Sequence, residues 1–73
     1  MTRRVDARGM RCPWPAVRLA RAVREATPGV RVCIVADDPI APQEIAALAA
    51  ERGWAVRPVE TDIGSGFEID TEA

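Results

Sequence analysis

The chain has no histidine and no lysine, only two cysteines among its 73 residues, and no apolar run of membrane-spanning length. Each absence removes a class of function. Without histidine, the commonest general base and the commonest transition-metal ligand are both missing. With two cysteines and no carboxylate cluster at ligand spacing, neither a metal nor a cofactor is expected. Two cysteines are also too few for a disulfide scaffold. A transmembrane helix needs roughly 20 apolar residues, and the opening "MTRRVDARG" lacks the apolar segment of a secretion signal. A cytoplasmic location and no membrane partner follow as expectations. There is no internal repeat, low-complexity run or linker.

What is present fits one small globular domain over residues 1–73. The composition is 48% hydrophobic and 29% charged, which suits a packed core and not a disordered chain. A core of this size leaves little room for a deep enclosed site, so a small site or a docking surface is expected. The net charge of -1 conceals a division along the chain. Residues 1–24 hold seven arginines against Asp6 alone, and residues 25–73 hold three arginines against ten acids, giving about +6 and about -7. Every basic group is a guanidinium. The first third is therefore suited to an anionic partner.

Periodicity gives the order β-α-β-α-β-β. "RRVDA" makes a first strand with Val5 and Ala7 on one face. From Pro13 or Pro15 to about Ala26 the spacing is helical, with Ala16, Leu19, Ala20, Val23 and Ala26 on one side and Arg18, Arg21 and Glu25 on the other. "VRVCIVA" is a second strand, with Val30, Val32, Ile34 and Ala36 on one face and Arg31, Cys33 and Val35 on the other. A second helix from near Pro42 to Arg52 turns Ile45, Leu48 and Ala49 inward and ends at Gly53. "WAVRPVE" is a third strand, and Pro58 marks it as an edge or a bulge. "TDIGSG" reads as a loop and "FEID" as a last strand, with Phe67 and Ile69 inward. Each βαβ crossover favours parallel neighbours, and the last two strands suit a hairpin. The expected fold is an α/β two-layer sandwich, with two helices on one face of a four-stranded mixed sheet.

The chemistry concentrates in "DARGMRCPWP". Cys12 lies immediately before a helix start, where proline is tolerated because its missing N–H would be unpaired anyway. Either Cys12 is the N-cap with Pro13 and Pro15 in the first turn, or Trp14 is the N-cap with Pro15 first. Both registers put the sulfur near the positive end of the helix. Helix N-termini and nearby cations lower thiol pKa values, so Arg8 and Arg11 are candidates to stabilise a thiolate or persulfide anion. The prolines stiffen the backbone that presents the sulfur. In a C-x-x-C dithiol the second cysteine would stand where Pro15 is. With no resolving thiol close in sequence, Cys12 suits carrying one sulfur better than shuttling a disulfide, and a persulfide fits. Trp14, Arg18 and Arg21 are candidate docking groups for a partner. Asp6 and Gly9 are expected to shape the turn, and Asp37 and Asp38 to cap the following loop or helix. Cys33, between Val32 and Ile34, reads as a packing residue.

"VDARGMRCPWP" followed by an amphipathic helix and then "VCIVADDP" resembles the TusA/SirA family of small sulfur-carrier proteins. The family's C-P-x-P signature is matched by Cys12, Pro13 and Pro15, with Asp6 and Gly9 upstream and Ala36 to Pro39 as a second match. The resemblance covers nearly the whole chain. It implies a sandwich similar to the C-terminal domain of translation initiation factor 3. It also implies that Cys12 accepts sulfane sulfur from a cysteine desulfurase or rhodanese-like donor and relays it to an acceptor protein, in tRNA thiolation, molybdenum-cofactor synthesis or sulfur oxidation. Trp14 departs from the glutamate that resemblance to the tRNA-thiolation members would place there. Such a protein moves sulfur without a small-molecule pocket of its own, so it is an enzyme only in a loose sense. A monomer forming transient complexes is the default.

Two other classes compete. A nucleic-acid-binding or regulatory module would use the arginine-rich first third, but the acidic remainder and the lack of an aromatic stacking platform count against direct nucleic-acid binding. A thiol-disulfide oxidoreductase would need Cys33 within bonding distance of Cys12.

Overall fold

Alternation in the strands decides which side of the sheet the helices cover. The computed structural model describes residues 2–72. Its elements are β1 (Thr2–Asp6), α1 (Trp14–Glu25), β2 (Arg31–Val35), α2 (Ala41–Arg52), β3 (Ala55–Thr61) and β4 (Gly64–Asp70). The sheet order is β1-β2-β4-β3, with β1 parallel to β2 and the other two pairings antiparallel. Val5, Val32, Ile34 and Ile69 meet Leu19 and Ala22 of α1 and Ala41 and Ile45 of α2 in one core. This is the expected mixed sheet with two helices on one face. Shortening a fully buried side chain such as Leu19 or Ile34 to alanine in such a core costs about 2–5 kcal/mol.

One connection departs from expectation. The crossover through α2 does not bring β3 beside β2; β4 lies between them. The two residues Asp62 and Ile63 join β3 to β4 in a tight hairpin, and β4 carries the buried Ile69 and the packed Phe67. It therefore takes the interior place. Pro58 lacks the N–H that a second neighbour would need, and β3 is accordingly an edge.

The "TDIGSG" segment is also not a loop, because β3 runs to Thr61 and β4 starts at Gly64. Of its glycines, Gly64 leaves the turn at φ 128, and Gly66 is there for a close approach of strands. A Cβ on Gly66 would collide with the backbone carbonyl of Ile34 and lie 3.1 Å from a Val35 methyl, so β4 can pair with β2 at this point only without a side chain.

On α1 the buried line is Pro15, Leu19 and Ala22, rotated from the expected Ala16, Leu19, Ala20, Val23 and Ala26. Pro15 lies inside the first turn and faces the core, which turns Ala16 and Ala20 to half-buried positions. On α2, Ala41, Ile45 and Ala49 are buried, and Gly53 closes the helix at φ 74 with its N–H on Ala49 and Ala50. The far face of the sheet has no helix on it. Cys33 is buried there, in register with Arg4 on one side and Glu68 on the other. Because β1 and β2 are parallel and each feeds a helix, the N-termini of α1 and α2 emerge at the same end of the sheet.

Candidate functional site

The loop between β1 and α1 is tied down at successive points. The Ala7 N–H donates to the Val35 carbonyl (2.7 Å), extending the β1–β2 ladder by one residue, and the Met10 N–H turns back to the Ala7 carbonyl (3.2 Å). Gly9 adopts φ 80 and its N–H donates to Asp37 Oδ1 at 2.9 Å. The Cys12 N–H donates to Asp38 Oδ2 at 3.0 Å, and the other oxygen of that carboxylate accepts from the Ile40 N–H at 2.8 Å. Asp38 thus caps the loop before α2 and not the helix itself, whose N-cap is Ile40 with no side-chain cap, and with Asp37 it also braces the cysteine loop. Those backbone N–H groups hold the Asp38 carboxyl below its usual range, with a smaller contribution from Arg11.

Neither expected helix register occurs. Pro13 is the N-cap, Trp14 the first helical residue and Pro15 the second, with no side-chain cap. The Trp14 N–H is used in a turn to the Arg11 carbonyl (2.8 Å), and the Pro13 carbonyl accepts from Val17 (3.1 Å). Trp14 can therefore enter the helix despite the following proline. The Cys12–Pro13 peptide bond is cis. Cys12 stands one residue before the cap, half-buried, and is a free thiol, as is Cys33.

The electrostatics around the sulfur are the reverse of the expectation. The thiol donates to Glu44 Oε1 of α2 at 2.9 Å. That hydrogen bond, then partial burial and the charges of Glu44 and Asp38, push the Cys12 pKa up. The sequence-adjacent arginines are occupied elsewhere. Arg8 forms a fork on Asp6, at 2.9 Å and 2.8 Å, and reaches the Ile63 carbonyl. Arg11 is exposed, shares a surface hollow with Asp37 and Asp38, and bears on the Asp38 carboxyl. Asp6 also accepts from the Arg8 N–H, so together they form a closed local turn. The Arg8 contacts hold the Asp6 carboxyl down at about 2. In an unfolded chain it would titrate near 4. The sign is therefore that this turn contributes fully above about pH 4 and is lost as pH falls towards 2. An NMR titration should show the Asp6 carboxyl and the Arg8 amide moving together near pH 2; a midpoint near 4 would mean that the pair does not form in solution.

The candidate docking groups come together. Trp14, Arg18 and Arg21, one turn apart on α1, line one groove with Met10 and Val17. Trp14 is 59% exposed and Val17 49%, so the apolar floor is open to a partner. Arg18 forms no ion pair among the described residues, whereas Arg21 lies 3.3 Å from Glu25. Cys33 faces away from the helices, and Cys12 is held against α2, which gives no pairing of the two thiols. Among the described residues no group of three His, Cys, Asp or Glu is arranged to hold a metal ion, and no helix is long and apolar enough to cross a membrane.

Sequence reasoning missed Glu44, Met10 and Val17. A carboxylate in the first turn of α2 was the available signal for Glu44, since that turn opens at the same end of the sheet as Cys12.

The sequence matches a family model described as "Sulfurtransferase TusA" over residues 3–69. In structure it is similar to a SirA-like protein from Desulfitobacterium hafniense, with a TM-score of 0.75 and 27% sequence identity over 96% of this chain and 95% of that one.

Proposed function

The chain belongs to the TusA family of sulfurtransferases, and from that premise we propose that it carries sulfur as a persulfide on Cys12. The donor is a cysteine desulfurase or a rhodanese-like protein, and the acceptor is a second protein. The tRNA-thiolation, molybdenum-cofactor and sulfur-oxidation routes would all draw on the same transfer step. The observation that carries this reading is the setting of Cys12: a half-buried free thiol on a loop anchored by Asp37 and Asp38, between Met10 and Trp14 in sequence, which line an exposed groove with Val17, Arg18 and Arg21. Anchoring fixes where the sulfur sits without enclosing it, which suits transfer between macromolecules. The test is to incubate the protein with a desulfurase and cysteine, or with a rhodanese and thiosulfate, and weigh it intact. One added sulfur, lost on reduction, is the expected result; no added sulfur from either donor would sink the reading.

The groove supports docking by an acidic partner surface with an apolar centre. Trp14→Ala together with Arg18→Glu should weaken donor association by at least tenfold, since aromatic and arginine anchors commonly cost more than 2 kcal/mol when removed. Titration by isothermal calorimetry checks this, and unchanged affinity would move the docking surface elsewhere. The nucleic-acid alternative loses ground because Arg3, Arg4, Arg8 and Arg21 each lie against a carboxylate, which reduces the cationic surface a phosphate backbone requires.

A further inference from the structure

We propose that Glu44 is the catalytic base of sulfur loading, taking the Cys12 proton as the sulfur attacks the donor. This rests on the carrier reading above. A base must lie within hydrogen-bond reach of the proton it takes, and Glu44 Oε1 is 2.9 Å from Cys12 Sγ.

Among the described residues no other group competes for that proton. Two elements face the thiol. From the loop before α2 comes Asp38, whose oxygens already accept the Cys12 and Ile40 N–H groups. From α2 comes Glu44, which forms no ion pair among the described residues. The cations nearest in sequence are Arg8, engaged by Asp6, and Arg11, which bears on Asp38.

The step balances without an oxidant. The donor is a protein persulfide, R–S–SH. Cys12 Sγ bonds to its outer sulfur, the bond between the two donor sulfurs breaks, and the donor leaves as a thiolate. The Cys12 proton passes to the Glu44 carboxylate and from there to the departing thiolate. The products are Cys12–S–SH and R–SH. Docking excludes solvent from the transfer site, so this proton needs a protein acceptor.

The same carboxylate opposes free thiolate, and this separates two reactions experimentally. Iodoacetamide is small, reaches Cys12 in the undocked protein, and reacts with thiolate formed by loss of the proton to water. Removing the Glu44 charge should leave alkylation as fast or faster, and should slow loading from a persulfidated rhodanese. The experiment compares wild type, Glu44→Gln and Glu44→Asp in both reactions at pH 7, with melting temperatures recorded.

The expected result for Glu44→Gln is loading slowed on the order of 100-fold, alkylation not slowed, and partial recovery of loading in Glu44→Asp. Loading at the wild-type rate in Glu44→Gln would overturn the proposal. So would an equal loss in both reactions, which would make Glu44 a structural support. If Glu44→Gln does not fold, Glu44→Asp decides: slowed loading with retained alkylation supports the base, and unchanged loading overturns it. Wild type that alkylates normally but takes no sulfur marks failure of the carrier reading itself.

Discussion

Cys12→Ser is expected to take up no sulfur from any donor, and Cys33→Ser to load as the parent does. The expected effect is total because the nucleophile and the cargo bond reside on one atom, and a serine hydroxyl is not deprotonated near neutral pH and forms no persulfide. The substitution leaves the surroundings intact. A hydroxyl at this position still donates to Glu44, and the anchoring bond from the residue 12 N–H to Asp38 does not involve the side chain. Loss of loading with an unchanged melting temperature therefore isolates chemistry from folding. Cys33 is buried in mid-sheet on the helix-free face, and its sulfur lacks both exposure and a proton acceptor of the Glu44 kind. Intact-protein mass spectra of both variants after donor treatment settle the matter. Sulfur retained by Cys12→Ser, or lost in Cys33→Ser, would transfer the carrier role to Cys33.

Gly66→Val is expected to have a large effect on stability. By propensity alone valine belongs in a strand, and propensity here gives the wrong sign. The position a Cβ would occupy is already held by the Ile34 carbonyl, a backbone group inside the β2–β4 ladder, and by a Val35 methyl at 3.1 Å. Neither can rotate out of the way as a long side chain could. Forcing the two central strands apart costs about 3 kcal/mol or more. At this chain length that lowers the melting temperature by roughly 12 °C or more. Circular dichroism on heating tests it, with Gly66→Ala expected between parent and valine. A Gly66→Val protein that melts with the parent would show that β4 does not lie this close to β2.

Much of the fold was readable because period and punctuation agreed. The alternation of Val32 and Ile34 against Cys33 and Val35, and Gly53 after the second helix, lead directly to β2 and α2. The Cys-Pro-Trp-Pro run announced a helix start and its thiol. The errors have physical causes. The turn preference of glycine in "TDIGSG" predicts a loop, but Gly66 is needed for contact with a strand about thirty residues earlier, and no local window contains that partner. The polarity of the site departs from its sequence pattern for the same reason. Arg8 and Arg11 adjoin Cys12 in sequence, yet a guanidinium goes to the nearest carboxylate, and Asp6 is two residues from Arg8. The groups that do face the sulfur, Asp38 and Glu44, are 26 and 32 residues away. They arrive only because parallel β1 and β2 deliver two helix starts to one end of the sheet. That pairing is a property of topology, invisible until the strands are ordered.

The same convergence imposes a traffic rule. The whole molecule presents 4578 Å² of accessible surface, and an ordinary protein–protein contact takes about 800 Å² from each side. Two such footprints, each obliged to include the one thiol at the end of the sheet, overlap. If Cys12 is the carrier, the protein that brings sulfur and the protein that takes it away must therefore visit in turn and never together. Turnover is then limited by how soon each visitor departs, and long residence by either one blocks the other. A tight-binding partner would be an inhibitor.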